Sequence, residues 1–250
     1  NGIRPWNVIA NVPSWTQGQN GSETSTKTAP VTQYYTSTLT GGAFAGSMRL
    51  IKQGEGELIL PAVEQLYTGN TDVWNGTLTF NGKLLSSTLW LNRHTTLNSN
   101  GGQFRRIKAE YNATIRPGGK GTIGIITTDT LQLGFGARLE FDLTDTTKTD
   151  KLNAKVLSIE TKSWKYGPRY LTPVIEFQLA NLATGTYDLG EIDTIIGSLS
   201  NIVIEGIGTS FKSSLSYSNH HLYLTIANIR EPAAIIWNGN ESAVWDFAQS

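Results

Sequence analysis

A short unit, a small or polar residue followed by an x-Leu-x-Leu or x-Leu-x-Phe pattern, recurs along the chain and constrains its fold more than any other feature. It stands at Gly56–Leu60, Gly76–Phe80, Asp129–Leu133 and Gly136–Phe141. Alternation with a period of two sends successive side chains to opposite faces of an extended strand, so each unit has one apolar and one polar face. One such strand cannot bury its apolar face alone, whereas recurring strands bury it by stacking on their neighbours. The same alternation runs through Phe104–Arg116, which reads as one strand with Ile107, Ala109, Tyr111, Ala113 and Ile115 inward and Lys108 and Arg116 outward. Further strands are expected at Leu131–Phe135, Leu139–Leu143, Val156–Ile159, Ile175–Leu179, Ile202–Ile204 and Leu222–Ile226. Turn formers such as Asn81-Gly82 and Pro117-Gly-Gly119 separate them, and no long amphipathic helix is visible.

These patterns predict an all-β protein: a right-handed parallel β-helix (β-solenoid) preceded by an irregular N-terminal segment. A β-sandwich of two smaller domains, divided near Lys162–Thr172, is the competing architecture. Residues 1–37, polar and interrupted by Pro5, Pro13 and Pro30, read as a coil or loose edge segment. Residues 38–232 read as the β-helix module, and 233–250 as a linker or the start of a following module.

Composition narrows the function. Lys+Arg and Asp+Glu each number 20, so the net charge is zero and the clustered positive charge that drives nucleic-acid binding is missing. The absence of cysteine removes disulfides, thiolate zinc sites and thiol nucleophiles together. The longest clear apolar run near the C-terminus, Ala233–Trp237, is far short of the ~18 residues of a membrane span.

Two stretches, Arg49–Leu60 with its Lys52-Gln-Gly-Glu-Gly-Glu-Leu-Ile-Leu60 core, and Leu66–Gly82 with Tyr67-Thr-Gly69 and Gly76-Thr-Leu-Thr-Phe80, resemble the autotransporter-associated β-strand repeat. That repeat occurs in passenger-type parallel β-helices of bacterial surface proteins. Leu139–Leu143, Gly185–Leu189, Ile196–Asn201 and Leu222–Thr225 are similar to the stretch that closes such modules, and Ile236–Asp246 looks like the opening of the next one. Leu60–Leu66 and Ser163–Tyr170 depart from the pattern. The resemblance implies an exported scaffold, extracellular or at the bacterial cell surface in association with the outer membrane. Its partners would be adjacent modules of the same chain, and a polysaccharide or a surface ligand of host or bacterium. Catalysis does not follow from it.

Four groups of residues offer chemistry. Asp142, Asp145 and Asp150 supply three carboxylates, and a Ca²⁺ site there is the one cofactor the sequence offers, but their spacing is neither an EF-hand nor a nonapeptide Ca²⁺ repeat. A solvated turn is the plainer reading. Arg93, Arg105, Arg106, Lys108 and Arg116 form a basic cluster of the kind a polysaccharide lyase uses, without a matching set of Asp. His94 stands alone, and His220 and His221, as strand neighbours, would face opposite ways. Trp164, Tyr166, Arg169 and Tyr170 lie in a loop where flat rings beside cations could contact a glycan. Together these predict a non-catalytic structural or adhesive module, with a carbohydrate-binding accessory domain or lyase-like β-helix as the alternative.

Overall fold

The computed structural model describes residues 7–11, 14–16, 32–160, 172–179 and 183–229. The first strands are β1 (Asn7–Asn11), β2 (Ser14–Thr16), β3 (Thr32–Tyr34), β4 (Thr36–Thr38), β5 (Ala45–Gly46), β6 (Arg49–Gln53), β7 (Glu57–Ile59) and β8 (Leu66–Tyr67). The middle of the chain forms β9 (Thr71–Val73), β10 (Thr77–Thr79), β11 (Lys83–Leu91), β12 (Thr96–Ser99), β13 (Gly102–Ala109), β14 (Thr114–Pro117) and β15 (Ile125–Leu133). Then come β16 (Arg138–Leu143), β17 (Lys151–Ile159), β18 (Val174–Leu179), β19 (Gly185–Ile196), β20 (Val203–Glu205), β21 (Phe211–Ser218) and β22 (His221–Asn228).

From β6 to β20 the chain alternates between two long sheets, apart from β8, which pairs with β5 in a two-stranded sheet. One has ten strands in the order β1-β6-β9-β11-β13-β15-β17-β19-β22-β21, and the other eight in the order β20-β18-β16-β14-β12-β10-β7-β4. Every pairing in the second sheet is parallel, as is every pairing in the first up to β19. Parallel strands need a crossover between them, and here each crossover is a strand of the opposite sheet. This is the architecture of a β-helix. A coil advances by 18 residues from Trp90 to Lys108, by 24 from Lys108 to Gln132 and by 26 from Gln132 to Ser158. Most extra residues enter as loops between strands, and β11 takes up its own in a bulge between Leu84 and Thr88, where its register with β13 shifts. β18 and β19 continue the same two sheets beyond residue 172, so the stack is not divided into two sandwiches there.

The recurring units explain the interior. Leu50, Thr71, Leu89, Ile107, Leu131, Leu157 and Ile195 stand in register on successive coils of the ten-stranded sheet. Leu58, Leu78, Leu97, Ile115, Leu139, Ile175 and Ile204 do the same in the other. The two rows face each other across one continuous core. Phe80 meets Phe104 edge to face at 5.9 Å, and Phe141 stacks on Phe177 at 6.1 Å. Among the described residues no helix is long and apolar enough to cross a membrane.

The structure departs from the sequence pattern at the corners. Phe104–Arg116 is two strands, β13 and β14, joined by a corner at Tyr111 and Asn112, whose φ values are 50° and 62°. The left-handed position of this corner recurs on successive coils at Gly76, His94, Asn112 and Gly136, where φ lies between 57° and 69°. Asn tolerates that backbone region because its short amide bonds locally, so a corner forms there without glycine. Lys108 and Arg116 therefore lie in different sheets. At the N-terminus, Asn7–Asn11 pairs residue for residue with Arg49–Gln53 as the edge strand of the long sheet.

The C-terminal end changes direction. β22 runs antiparallel to both β19 and β21. The β21–β22 turn is Asn219-His220, with φ of 49° and 62°, the geometry of a two-residue hairpin whose twist matches the strands.

Candidate functional site

Several outward-facing charges on the coils form pairs that link one coil to the next. Arg49 bonds Asp72, whose side chain is only 6% exposed. Arg116 bonds Glu140 through two nitrogens, and Arg138 bridges Glu176 and Glu205. Between β15 and β17, Lys155 meets Asp129 at 2.7 Å. Near the C-terminal end Asp188 receives Lys151 at 3.0 Å and His221 Nδ1 at 3.1 Å. Burial opposes ionisation of Asp188, but the Gly190 amide, His221 and Lys151 outweigh it and hold its carboxyl below the usual range. Each pair joins residues 20 or more positions apart, brought together by the coil repeat or, for His221, by the antiparallel β19–β22 pairing.

The basic cluster is dispersed along the same lines. Lys108 lies 4.2 Å from the centroid of the Trp90 ring on the preceding coil and 2.9 Å from Glu110. Arg93 covers Tyr111, which stacks in turn on Phe135 at 5.9 Å, so a cation and two rings climb one corner of the stack. Arg105 reaches the Thr88 hydroxyl. Of the histidines, His94 occupies a corner, His220 a hairpin turn, and His221 stacks on Tyr223 at 5.9 Å.

Asp142 and Asp150 hold one loop, and Asp145 bonds within its own turn. One oxygen of Asp142 accepts the amides of Gly121 and Thr122 at 2.6 and 3.1 Å. Asp150, fully buried, accepts Gly124 N–H at 2.7 Å and Asp142 N–H at 2.8 Å. Asp145 turns back onto the Thr147 hydroxyl and the amides of Thr147 and Lys148, and this holds its carboxyl below the ordinary value. No group of three His, Asp or Glu side chains able to hold a metal occurs among the described residues. Beside Asp142 lies a groove of about 300 Å³ lined by Lys120, Gly121, Ile123, Leu143, Thr144 and Gln178. Trp164, Tyr166, Arg169 and Tyr170 lie outside the described residues.

Burial, helped by the Asp142 charge, pushes Asp150 up to about 7 against the two amide bonds. A raised carboxyl pKa means that the folded chain holds a proton the unfolded chain releases near pH 4. The stabilisation is complete below that and is lost as pH rises toward 7. Urea midpoints measured from pH 4 to 8 are therefore expected to carry a downward component between about 4 and 7, absent in Asp150→Asn. Parallel profiles for the two proteins would show that Asp150 is ionised throughout.

Lys52 is a site that the charge count conceals. It occupies an interior position, 0% exposed, in register with Val73, Leu91, Ala109, Leu133 and Ile159. Its ammonium donates to the carbonyls of Gln53, Gly54 and Asn75 at the coil corner. Burial pushes it down to about 8, with Glu55 opposing. Alternation from Leu50 already places residue 52 inside. Beside it, Tyr67, Thr71 and Ser87 join buried hydroxyls at 2.6 and 3.2 Å.

No family model matches this chain, and no curated protein matches it.

Proposed function

We propose that this chain is a non-catalytic structural module: a β-helical segment of a bacterial cell-surface or secreted protein that acts by length, rigidity and surface presentation. One observation carries this reading: a series of charged side chains on the outside of the stack is engaged coil to coil. Arg116–Glu140, Arg138–Glu176, Arg138–Glu205 and Lys155–Asp129 tie successive turns together. The carboxylates Asp142 and Asp150 hold backbone amides of a loop on the preceding coil. A catalytic surface needs groups whose polar atoms converge on an open space, whereas these converge on each other. Exposed single pairs are worth little, but a network along an axis opposes slippage of the register. The bacterial surface setting is supported by the resemblance of residues 49–82 to the autotransporter-associated repeat.

The reading is tested by offering the purified chain plant, host and bacterial polysaccharides. Unsaturated uronate release and new reducing ends are followed alongside mobility in polysaccharide-containing gels. A structural module leaves every polymer uncleaved. Cleavage of any one, lost on substituting a residue of the basic set such as Lys108→Ala, would replace this reading with a lyase-type activity.

A further inference from the structure

β21 ends the ten-stranded sheet and, among the described residues, pairs with β22 alone. The amide of Ile229 donates to the Ser210 carbonyl, which makes Ser210 and Ile229 a hydrogen-bonded pair one step beyond the β21–β22 register. In an antiparallel ladder such pairs alternate with non-bonded ones, so Lys212, Ser214, Ser216 and Ser218 direct their backbone groups at β22. Ser213, Leu215 and Tyr217 direct theirs away. Three N–H and three C=O groups are thus aligned at two-residue spacing along an edge that no described strand covers.

Sheets ordinarily blunt such edges with short strands, charges or proline. The other sheet follows that rule, since its last strand at this end, β20, has three residues and carries Glu205 paired to Arg138. β21 does not: it has eight residues, no proline or glycine, and one charge, Lys212. An added extended strand meets donors and acceptors at this spacing in register.

We propose that β21 is a self-association edge, pairing antiparallel with β21 of a second copy across a two-fold axis and joining two ten-stranded sheets into one. A second copy is the occupant that the strand's own pattern fits. Antiparallel pairing of a strand with itself is self-complementary, so each copy supplies the groups the other lacks. Centred on Leu215, the pairing sets Lys212 against Ser218 and keeps the two Lys212 side chains at opposite ends. Phe211 and Leu215 are half-buried against the core and Tyr217 is 37% exposed; the same row on the partner extends that apolar face.

The test uses the full chain. Light scattering across a dilution series is expected to show dimer giving way to monomer, with the amides of Ser213, Leu215 and Tyr217 protected from hydrogen exchange only in the dimer. The double variant Ser214→Lys, Ser216→Lys changes two exposed positions and sets like charges opposite each other, which should weaken the dimer at least about tenfold with unchanged circular dichroism. Ser213→Pro removes one edge N–H without touching the β22 ladder, and it should weaken the dimer as well. A chain that is monomeric at every concentration overturns the proposal, whether or not those amides exchange. So does a dimer indifferent to both variants.

Discussion

Leu131→Ala is expected to lower unfolding stability by about 3–5 kcal/mol, the cost of a residual cavity in a fully buried aliphatic row. Leu131 is 0% exposed and stands between Ile107 and Leu157, with Leu89 one coil further on. Its neighbours are held by backbone ladders on both sides, so the coils cannot collapse into the space. Thr130→Ala, one residue away on the outer face, should change stability by no more than about 0.5 kcal/mol. Urea denaturation of the two variants beside the parent checks both. Similar losses at the two positions would contradict the alternation on which the stack depends. Because contacts in a solenoid run mainly between neighbouring coils, hydrogen exchange in Leu131→Ala should accelerate first in β13, β15 and β17.

Gly190→Ala should be comparably damaging, by about 3 kcal/mol or more, for a reason that lies in the backbone. Gly190 has φ of +124°, and a Cβ there would press into the Leu152 carbonyl on the preceding coil. It sits where the β19–β22 register shifts, and its amide bonds Asp188, so this one residue lets the parallel stack receive its antiparallel cap. Gly101→Ala is the control: φ is +77° but nothing lies within 4 Å of the added carbon, which leaves only the conformational cost of about 1 kcal/mol. Equal midpoints for the two variants would mean that the close approach to Leu152 is not a constraint on the fold.

The interior was largely legible in the sequence because period-two alternation reports faces directly. Leu78, Phe80, Leu139, Phe141 and Leu143 are all inside, as their pattern requires. Corners were harder to read. Tyr111 and Asn112 continue the alternation of Phe104–Arg116 while bending the chain into a new sheet, and neither is the glycine that would flag a turn. Phe135 likewise reads as a third inward residue after Leu131 and Leu133, yet it stands half-buried at the corner against Tyr111. Lys52 shows the opposite case, where the pattern was right and the residue type argued against it.

Chemistry was less legible than packing, since it depends on residues a full coil apart. Asp142, Asp145 and Asp150 look like one cluster along the chain, but Asp142 and Asp150 take amides from Gly121, Thr122 and Gly124 on the neighbouring coil. Similarly, Arg116 and Lys108 look like neighbours on one strip until their partners, Glu140 and Trp90, place them on different faces.

The central claim is a rigid stack whose coils rise in one continuous row from Thr88 in β11 to Thr194 in β19. The chain has no cysteine, so a pair introduced at Thr88 and Thr194 can be spin-labelled without background. These positions stand in one row, separated by Arg106, Thr130 and Val156 on the intervening coils. Four steps of about 4.8 Å place their backbones about 19 Å apart. A single narrow distance distribution near that value, after allowance for the labels, is the predicted result. A broad distribution, or a separation well beyond it, would mean that the segments on either side of residues 161–171 are not one stack and would contradict the account.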